Sequence, residues 1–348
     1  MGAGLLLALG IFERPVQQAL FQSLSLIKNL TVNSNIMTDN HHGLPGIVCV
    51  IGPTGSGKND LALKLKEEFS IEIINFDSRQ VYADLPIVTA QPSESEKQSC
   101  PHHLYGFLGL REKISAGRFV DMARQAITEV SNRGRMPFLV GGTGLYLRSL
   151  IHGLAHIPDV PEKIQTELEN ESSESGVESI YQRLLSVDPV YAGTITPKDR
   201  QKIIRALGVS IATGKIFSDW HREQGKRTFY HALKIGILWE LEELTPRLRQ
   251  RIAGMVKSGA IEEVKKAWIK CERDPACPAL SGIGCREIIS YINKQTDLDQ
   301  TIDRWLKNTR AYAKRQLTWF RKEPDILWVK PGEAKKAAAL VNDFLREY

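Results

Sequence analysis

The sequence predicts an α/β protein: a parallel sheet flanked by helices, carrying an inserted all-helical subdomain. Three observations lead there. Short apolar runs alternate with helical patterns through residues 45–156, a glycine-rich turn follows the first run, and the texture of 157–219 is helical with no strand pattern.

The first run is Ile47-Val48-Cys49-Val50-Ile51, which reads as a buried strand. Gly52-Pro53-Thr54-Gly55-Ser56-Gly57-Lys58-Asn59 follows, then a helical pattern through Leu61, Leu65 and Phe69. Strand, glycine-rich loop and helix in that order make a phosphate-binding loop, so the sheet is expected to be of the P-loop NTPase-like kind. Glycines let backbone N–H groups turn inward on a phosphate chain, the helix N-terminus adds positive potential, and Lys58 supplies a mobile cation. Asn59 stands where a Ser or Thr hydroxyl usually binds Mg²⁺; its carbonyl oxygen is still a weak Mg²⁺ ligand.

Ile71-Glu72-Ile73-Ile74-Asn75-Phe76 reads as a second strand ending at Asp77-Ser78-Arg79-Gln80. A loop-rich stretch with Pro86, Pro92 and Pro101 leads to His102-His103, whose side chains point apart and read as structural rather than metal-binding. After a helical pattern over 119–130, Pro137-Phe138-Leu139-Val140 is a third strand, ending in Gly141-Gly142-Thr143-Gly144. Ligands of parallel sheets gather beyond the carboxyl ends of strands, so the phosphate loop, Asp77 and Thr143 are expected in one crevice. Asp77 reads as a metal-side acid, as a base, or as a turn residue accepting backbone N–H groups. Thr143 is either a helix cap or a substrate contact.

The expected organisation is a leader over 1–44, the first part of the core over 45–156, a helical insertion over 157–219, and core completion with C-terminal helices over 220–348. In the leader, Leu5-Leu6-Leu7-Ala8-Leu9 follows no basic residue and is too short to span a bilayer, and Met37 is an alternative start. A strand returns at Leu233-Lys234-Ile235-Gly236-Ile237-Leu238, and Ile326-Leu327-Trp328-Val329 reads as an edge strand.

A chain of 348 residues with 42% hydrophobic and 25% charged content can bury a sizeable core, which excludes a disordered or fibrous protein. The net charge of +6 is compatible with a polyanionic partner without requiring one. Cys49, Cys100, Cys271, Cys277 and Cys285 are odd in number and lack zinc-ligand spacing, so they read as reduced thiols of a cytoplasmic protein. Lys198 to Leu207 forms a short basic helical segment. Lys307, Arg310, Lys314 and Arg321 build a second basic face beside an apolar stripe of Leu306, Ala313, Leu317 and Phe320. Trp305, Tyr312 and Trp319 lie close by, placed either to stack on bases or to pack. Two basic helices flanking one phosphate crevice favour a nucleic-acid groove.

Together these segments resemble the tRNA dimethylallyltransferases (isopentenylpyrophosphate:tRNA transferases) of the bacterial type. The matching pieces include the phosphate loop, Asp77-Ser78-Arg79-Gln80-Val81-Tyr82, Pro101-His102-His103-Leu104 and Leu139-Val140-Gly141-Gly142-Thr143-Gly144. Asp199-Arg200-Gln201-Lys202-Ile203-Ile204-Arg205, Gly282-Ile283-Gly284 and Thr309 to Arg321 continue the match in the same order. The resemblance implies transfer of a dimethylallyl group from its diphosphate to the exocyclic amine of the adenosine just 3′ of the anticodon. It implies that Asp77 binds that amine and accepts its proton, and that Thr143 lines the channel near the reacting carbon. Gly52 to Asn59 would hold the diphosphate, usually with Mg²⁺. The resemblance also implies tRNA contacts at Asp77, Ser78, Arg79, Gln80, Thr143, Gln165, Gln201, Lys202, Ile203, Ile204 and Arg205. A monomer that binds the anticodon stem-loop, with no membrane association, is the expected working form. The sequence departs from the family pattern at Asn59, at Gln91 and Gln165 (usually Lys and Arg), at Leu241 (near a usual diphosphate-binding Arg) and at Cys285 (usually Tyr). A phosphate-loop kinase of a small metabolite, and a tRNA-binding paralogue with impaired catalysis, are the alternatives.

Overall fold

The computed structural model describes residues 44–155, 157–224 and 228–347, so the 1–44 leader lies almost entirely outside the described residues. Strand β1 (Gly46–Ile51) leads into helix α1 (Lys58–Leu65) and β2 (Ile71–Asn75). After α2 (Glu94–Ser99) and β3 (His102–His103) come α3 (Ala116–Asn132), β4 (Met136–Gly141) and α4 (Gly144–His152). A run of helices follows: α5 (Glu162–Ser175), α6 (Val177–Val187), α7 (Pro189–Ala192), α8 (Arg200–Thr213) and α9 (Phe217–Gln224). The chain then returns through β5 (His231–Ile237), α10 (Leu241–Lys257), α11 (Ala260–Lys270), α12 (Cys285–Ile292), α13 (Leu298–Phe320), β6 (Ile326–Val329) and α14 (Ala334–Glu347).

The sheet is parallel at every pairing, in the order β3-β2-β4-β1-β5-β6. The central strands β1 and β4 are continuous apolar runs because both faces are covered. In β1, Ile47, Cys49 and Ile51 pack against α3 and α4 residues such as Phe119 and Leu150, while Val48 and Val50 pack toward Leu61, Val341 and Phe344. The edge strand expected at 326–329 is β6, paired with β5.

The stretch expected as loop before His102-His103 contains α2, which a capping box starts: Ser93 accepts from the Glu96 N–H and Glu96 reaches back to the Ser93 N–H. This S-x-x-E signature is legible in the sequence. His103 pairs in the sheet, and its Nε2 lies 2.6 Å from the buried Glu72 carboxylate, which also receives Arg133. The Arg133 guanidinium holds Glu72 below its ordinary carboxylate range. His103 is thereby tied into the sheet, and His102 Nδ1 lies 2.7 Å from the Cys100 carbonyl.

Helices α5 to α9 pack around their own centre of Leu168, Ile180, Leu184, Ile203, Leu207 and Phe217. The last of them runs past residue 219. Cys271 and Cys277 are joined as a disulfide, where five reduced thiols were expected; Cys49, Cys100 and Cys285 are free and buried.

Lys234 sits inside β5 at 5% side-chain exposure and is balanced by Glu323 at 1%, 3.6 Å away. Arg148 also bonds Glu323, at 2.9 Å. Removing the carboxylate leaves Lys234 buried without a counter-charge. Glu323→Ala is expected to lower unfolding free energy by about 3–5 kcal/mol, measured by urea denaturation. A loss below about 1 kcal/mol would show that water already solvates Lys234.

Candidate active site and RNA-facing surface

β2, β4 and β1 are neighbours in the sheet, which brings Asp77, the 141–144 turn and the phosphate loop together at their carboxyl ends. Gly55 (φ 78°) and Gly57 (φ 87°) hold left-handed conformations that curl the loop, and Gly57 is the N-cap residue of α1. The loop is fastened from the far end of the chain. The Thr54 N–H donates to Gln316 Oε1 at 2.8 Å, and Gln316 Nε2 donates to the Gly142 carbonyl at 2.9 Å. A side chain at 142 would collide with that Gln316 amide, which accounts for the glycine. Gln316 belongs to the segment that resembles the family, but its clamping role is visible only in three dimensions.

Asp77 sits in a turn where its Oδ1 accepts the Arg79 N–H at 2.8 Å. Thr143 stands at the N-cap position of α4 but its hydroxyl makes no capping bond; it accepts the Ser78 N–H at 3.0 Å instead. The two candidate catalytic residues are thus tied into one turn-to-turn contact. The Asp77 carboxylate is shared by two cavities. One, of about 360 Å³, is polar and lined by the phosphate loop, Gln80, Gln91, Glu96, Tyr105, Arg247 and Arg251. The other, of about 280 Å³, is lined by Leu248, Ile252, Met255, Ile283, Trp305 and Tyr312, and also by Asp77, Ser78, Thr54 and Arg251.

Lys58 Nζ donates to the Gly52 and Pro53 carbonyls at 3.0 and 2.8 Å. Burial pushes its ammonium down to about 8, against the pull of Asp77 and with a further push from Arg251. Arg251 and Arg247 were not anticipated. Arg251 donates to Thr54 Oγ1 at 3.1 Å and Arg247 to the Gly55 carbonyl at 2.8 Å. Burial presses the Arg251 guanidinium below its ordinary value while Asp77 opposes that shift. The absence of Arg at Leu241 therefore leaves no gap in cation supply: Leu241 starts α10, and its second and third turns carry the charges. Their spacing of four residues on a helix was a readable signal once α10 was placed beside the loop.

The fold engages several of the expected site residues within the protein. The Asn59 carboxamide donates to Glu96 Oε1 at 2.7 Å and its carbonyl faces His102 Nε2 at 3.2 Å, so it is held by protein groups beside the phosphate loop. Burial opposes the charge on Glu96, but the bonds from Ser93 and Asn59 outweigh it and hold this carboxyl below its ordinary value. Arg79 donates to the Ala279 carbonyl and to Ser281, and lies over the Tyr82 ring. Gln80 donates to the Ala90 carbonyl at 2.6 Å. Both side chains are thereby engaged within the protein. Ile203 is fully buried among the α5–α9 helices and Ile204 is 7% exposed, so these two side chains serve packing before any partner. Gln165, Gln201 and Arg205 do come together, around a cavity of about 460 Å³ that also includes Arg200. Lys202 is exposed and paired with Asp199. On α13, Leu306, Ala313, Leu317 and Phe320 are buried as the stripe predicts, Trp305 is buried with them, and Trp319 lies under Arg148.

Residues 80–323 match the family model described as IPP transferase. The chain belongs to this family. A tRNA dimethylallyltransferase of Maridesulfovibrio salexigens is 50% identical over 301 residues, covering 86% of this chain and 98% of the relative. One from Oleidesulfovibrio alaskensis is 48% identical over 296 residues, with 85% and 97% covered. Among solved structures, the full-length tRNA isopentenylpyrophosphate transferase of Bacillus halodurans is similar at a TM-score of 0.64 and 33% identity, covering 87% of this chain and 97% of that one. A eukaryotic dimethylallyltransferase captured acting on tRNA matches at a TM-score of 0.75 and 28% identity, covering 87% and 80%. Membership makes this IPP transferase chain an enzyme. It makes that enzyme a transferase rather than a small-metabolite kinase. No helix among the described residues is long and apolar enough to cross a membrane.

Proposed function

We propose that the chain transfers the dimethylallyl group of dimethylallyl diphosphate to the N6 amine of the adenosine 3′-adjacent to the anticodon in tRNA, acting in the cytoplasm. The observation that carries this reading is the position of Asp77, between a cation-lined cavity and an apolar one. The diphosphate occupies the first, against the loop N–H groups, Lys58 and Arg251. The purine, splayed from its loop, and the prenyl tail meet at the boundary. An adenine amine is a weak nucleophile because its lone pair is delocalised into the ring, so the reaction depends on a good leaving group. The N6–carbon bond forms as the carbon–oxygen bond breaks, the electron pair leaves with the diphosphate, and the N6 proton passes to Asp77. Cations aimed at the leaving group stabilise charge where it develops. Thr143, held against the Asp77 turn through the Ser78 N–H, stands beside the reacting centre.

Mg²⁺ fits this site only as a companion of the diphosphate. Among the described residues no cluster of three or more His, Cys, Asp or Glu side chains could hold a metal ion. The hard oxygen donors Asn59 and Glu96 do line the loop cavity, and Mg²⁺ commonly takes one or two protein ligands beside phosphate oxygens and water. When bound it would neutralise charge on the leaving group.

The deciding experiment incubates purified protein with unmodified tRNA and radiolabelled dimethylallyl diphosphate, then digests the RNA. Label in N6-isopentenyladenosine supports the reading. ATP hydrolysis without prenyl transfer would replace it with the kinase, and tRNA binding without transfer with the impaired paralogue.

Lys58 adds a pH dependence. The charged amine that grips diphosphate is present below about pH 8 and lost above it. Titrating pyrophosphate calorimetrically, we expect affinity to weaken on the order of tenfold per pH unit above that point, with proton uptake on binding. Lys58→Arg should abolish the dependence. A flat wild-type profile would mean that Lys58 is not the titrating cation.

A further inference from the structure

Four residues line both cavities, Thr54, Asp77, Thr89 and Arg251, and of these only Thr89 belongs to neither the phosphate loop, the Asp77 turn nor the α10 cations. It sits in a tight turn over 86–91. The Thr89 N–H donates to the Leu85 carbonyl, the Ala90 N–H to Ile87 and the Gln91 N–H to Pro86. Val88 lines the apolar cavity, while Ala90 and Gln91 line the polar one, so the turn is part of the wall that divides them.

This partition is fastened at both ends. At its start the Ile87 and Val88 N–H groups find no main-chain acceptor, as in the first turn of any helix. Glu263 of α11 supplies one to each: Ile87 donates to its Oε1 at 2.7 Å and Val88 to its Oε2 at 2.8 Å. Among the described residues Glu263 forms no ion pair, so its carboxylate serves the turn. At the far end Gln80 Nε2 donates to the Thr89 and Ala90 carbonyls, at 3.3 and 2.6 Å. Ala90 is held at φ 52°, a left-handed conformation that glycine adopts freely and alanine does not. A turn carrying that strain stays closed only while its surroundings hold it. Glu263 lines neither cavity, yet the start of the partition depends on it.

We propose that Glu263 is a positioning residue for prenyl transfer: by holding the 86–91 turn it keeps water from the carbon that the diphosphate leaves. This rests on the reading above and adds a requirement to it. As the carbon–oxygen bond weakens, that carbon becomes electron-poor and open to any nucleophile within reach. Adenine N6 is a poor nucleophile, and water is abundant. The amine wins only if the closed site excludes its competitor. With the partition loosened, a water oxygen bonds to the carbon as the carbon–oxygen bond to diphosphate breaks. The electron pair leaves with the diphosphate and the water proton passes to solvent, giving dimethylallyl alcohol. A carboxylate suits the task because it accepts at both oxygens and its charge strengthens both bonds. An amide at 263 would accept one N–H and confront the other with a donor.

The test compares the wild type with Glu263→Gln, Glu263→Asp, Glu263→Gln/Ala90→Gly and a Glu262→Gln control. Radiolabelled dimethylallyl diphosphate is turned over at saturating tRNA, and label is counted in RNA and in alcohol. The product ratio belongs to each turnover, so a smaller folded fraction cannot change it; thermal melts report that fraction separately. Glu263→Gln is expected to raise the ratio of alcohol to prenylated RNA about tenfold, the equivalent of one hydrogen bond lost. Glu263→Asp should fall between it and the wild type, because both acceptor oxygens remain on a shorter stem. Ala90→Gly removes the left-handed strain and should restore part of the loss in the double variant. Affinity for tRNA should be unchanged throughout, as should every readout of Glu262→Gln. A wild-type product ratio in Glu263→Gln and Glu263→Asp overturns this inference alone, and Glu263→Asp decides it if the Gln variant does not fold. A wild-type protein that prenylates no RNA removes both the inference and the reading it rests on.

Discussion

Asp77→Asn is expected to lower prenyl transfer by a factor on the order of 10²–10⁴, the range a positioned general base contributes. The substitution is chosen because an Asn Oδ1 can still accept the Arg79 N–H that shapes the turn. Asp77→Ala, which loses that bond as well, should be no more active. Affinity for tRNA should be nearly intact in both, because a single groove-centre carboxylate repels rather than holds phosphate. Single-turnover rates with saturating tRNA read the effect directly. A rate within about twofold of wild type would exclude Asp77 from the chemistry, and the N6 proton would then have to leave to water.

Arg251→Met should cost on the order of 10²–10³ in the same rate, comparable to removing one preorganised charge-stabilising donor. Arg251 touches Thr54 in the phosphate loop and lines both cavities, so its charge faces the position where the leaving diphosphate gathers electrons. Met keeps much of the stem volume and removes the charge. We expect weaker pyrophosphate binding and unchanged tRNA binding. If pyrophosphate affinity and rate are both normal, Lys58, Arg247 and the loop N–H groups suffice without it. A loss of tRNA binding instead would move Arg251 from the leaving-group side to the RNA side.

Much of the centre was legible beforehand for a local reason. A phosphate loop is one strand, one turn and one helix start, so its residues are contiguous, and parallel-sheet topology then dictates where the next strand ends fall. Asp77 and Thr143 could be placed near the loop on that ground. Their exact relation could not: the Thr143 hydroxyl meets the Ser78 N–H across a separation of 65 residues. The family resemblance implied RNA contacts at Gln201, Ile203 and Arg205 alike; the fold brings Gln201 and Arg205 to one cavity and buries Ile203, since such a segment and an amphipathic helix share the same stretch of chain. Burial separates them, and burial depends on α5 and α6. Arg79 shows the opposite case, a basic residue beside the site whose donors are drawn inward by the 278–281 segment.

Sequence alone determined the class of fold, the identity of the phosphate loop, the order of the strands along the chain and the family. Each of these is encoded by neighbours within a dozen or so residues, where periodicity and turn chemistry act. Tertiary structure decided what fills the space around the loop: the Gln316 clamp from 262 residues away, and the Arg247 and Arg251 cations from α10. Long-range electrostatics depends on which helix faces which strand end, and no local pattern in the chain carries that information.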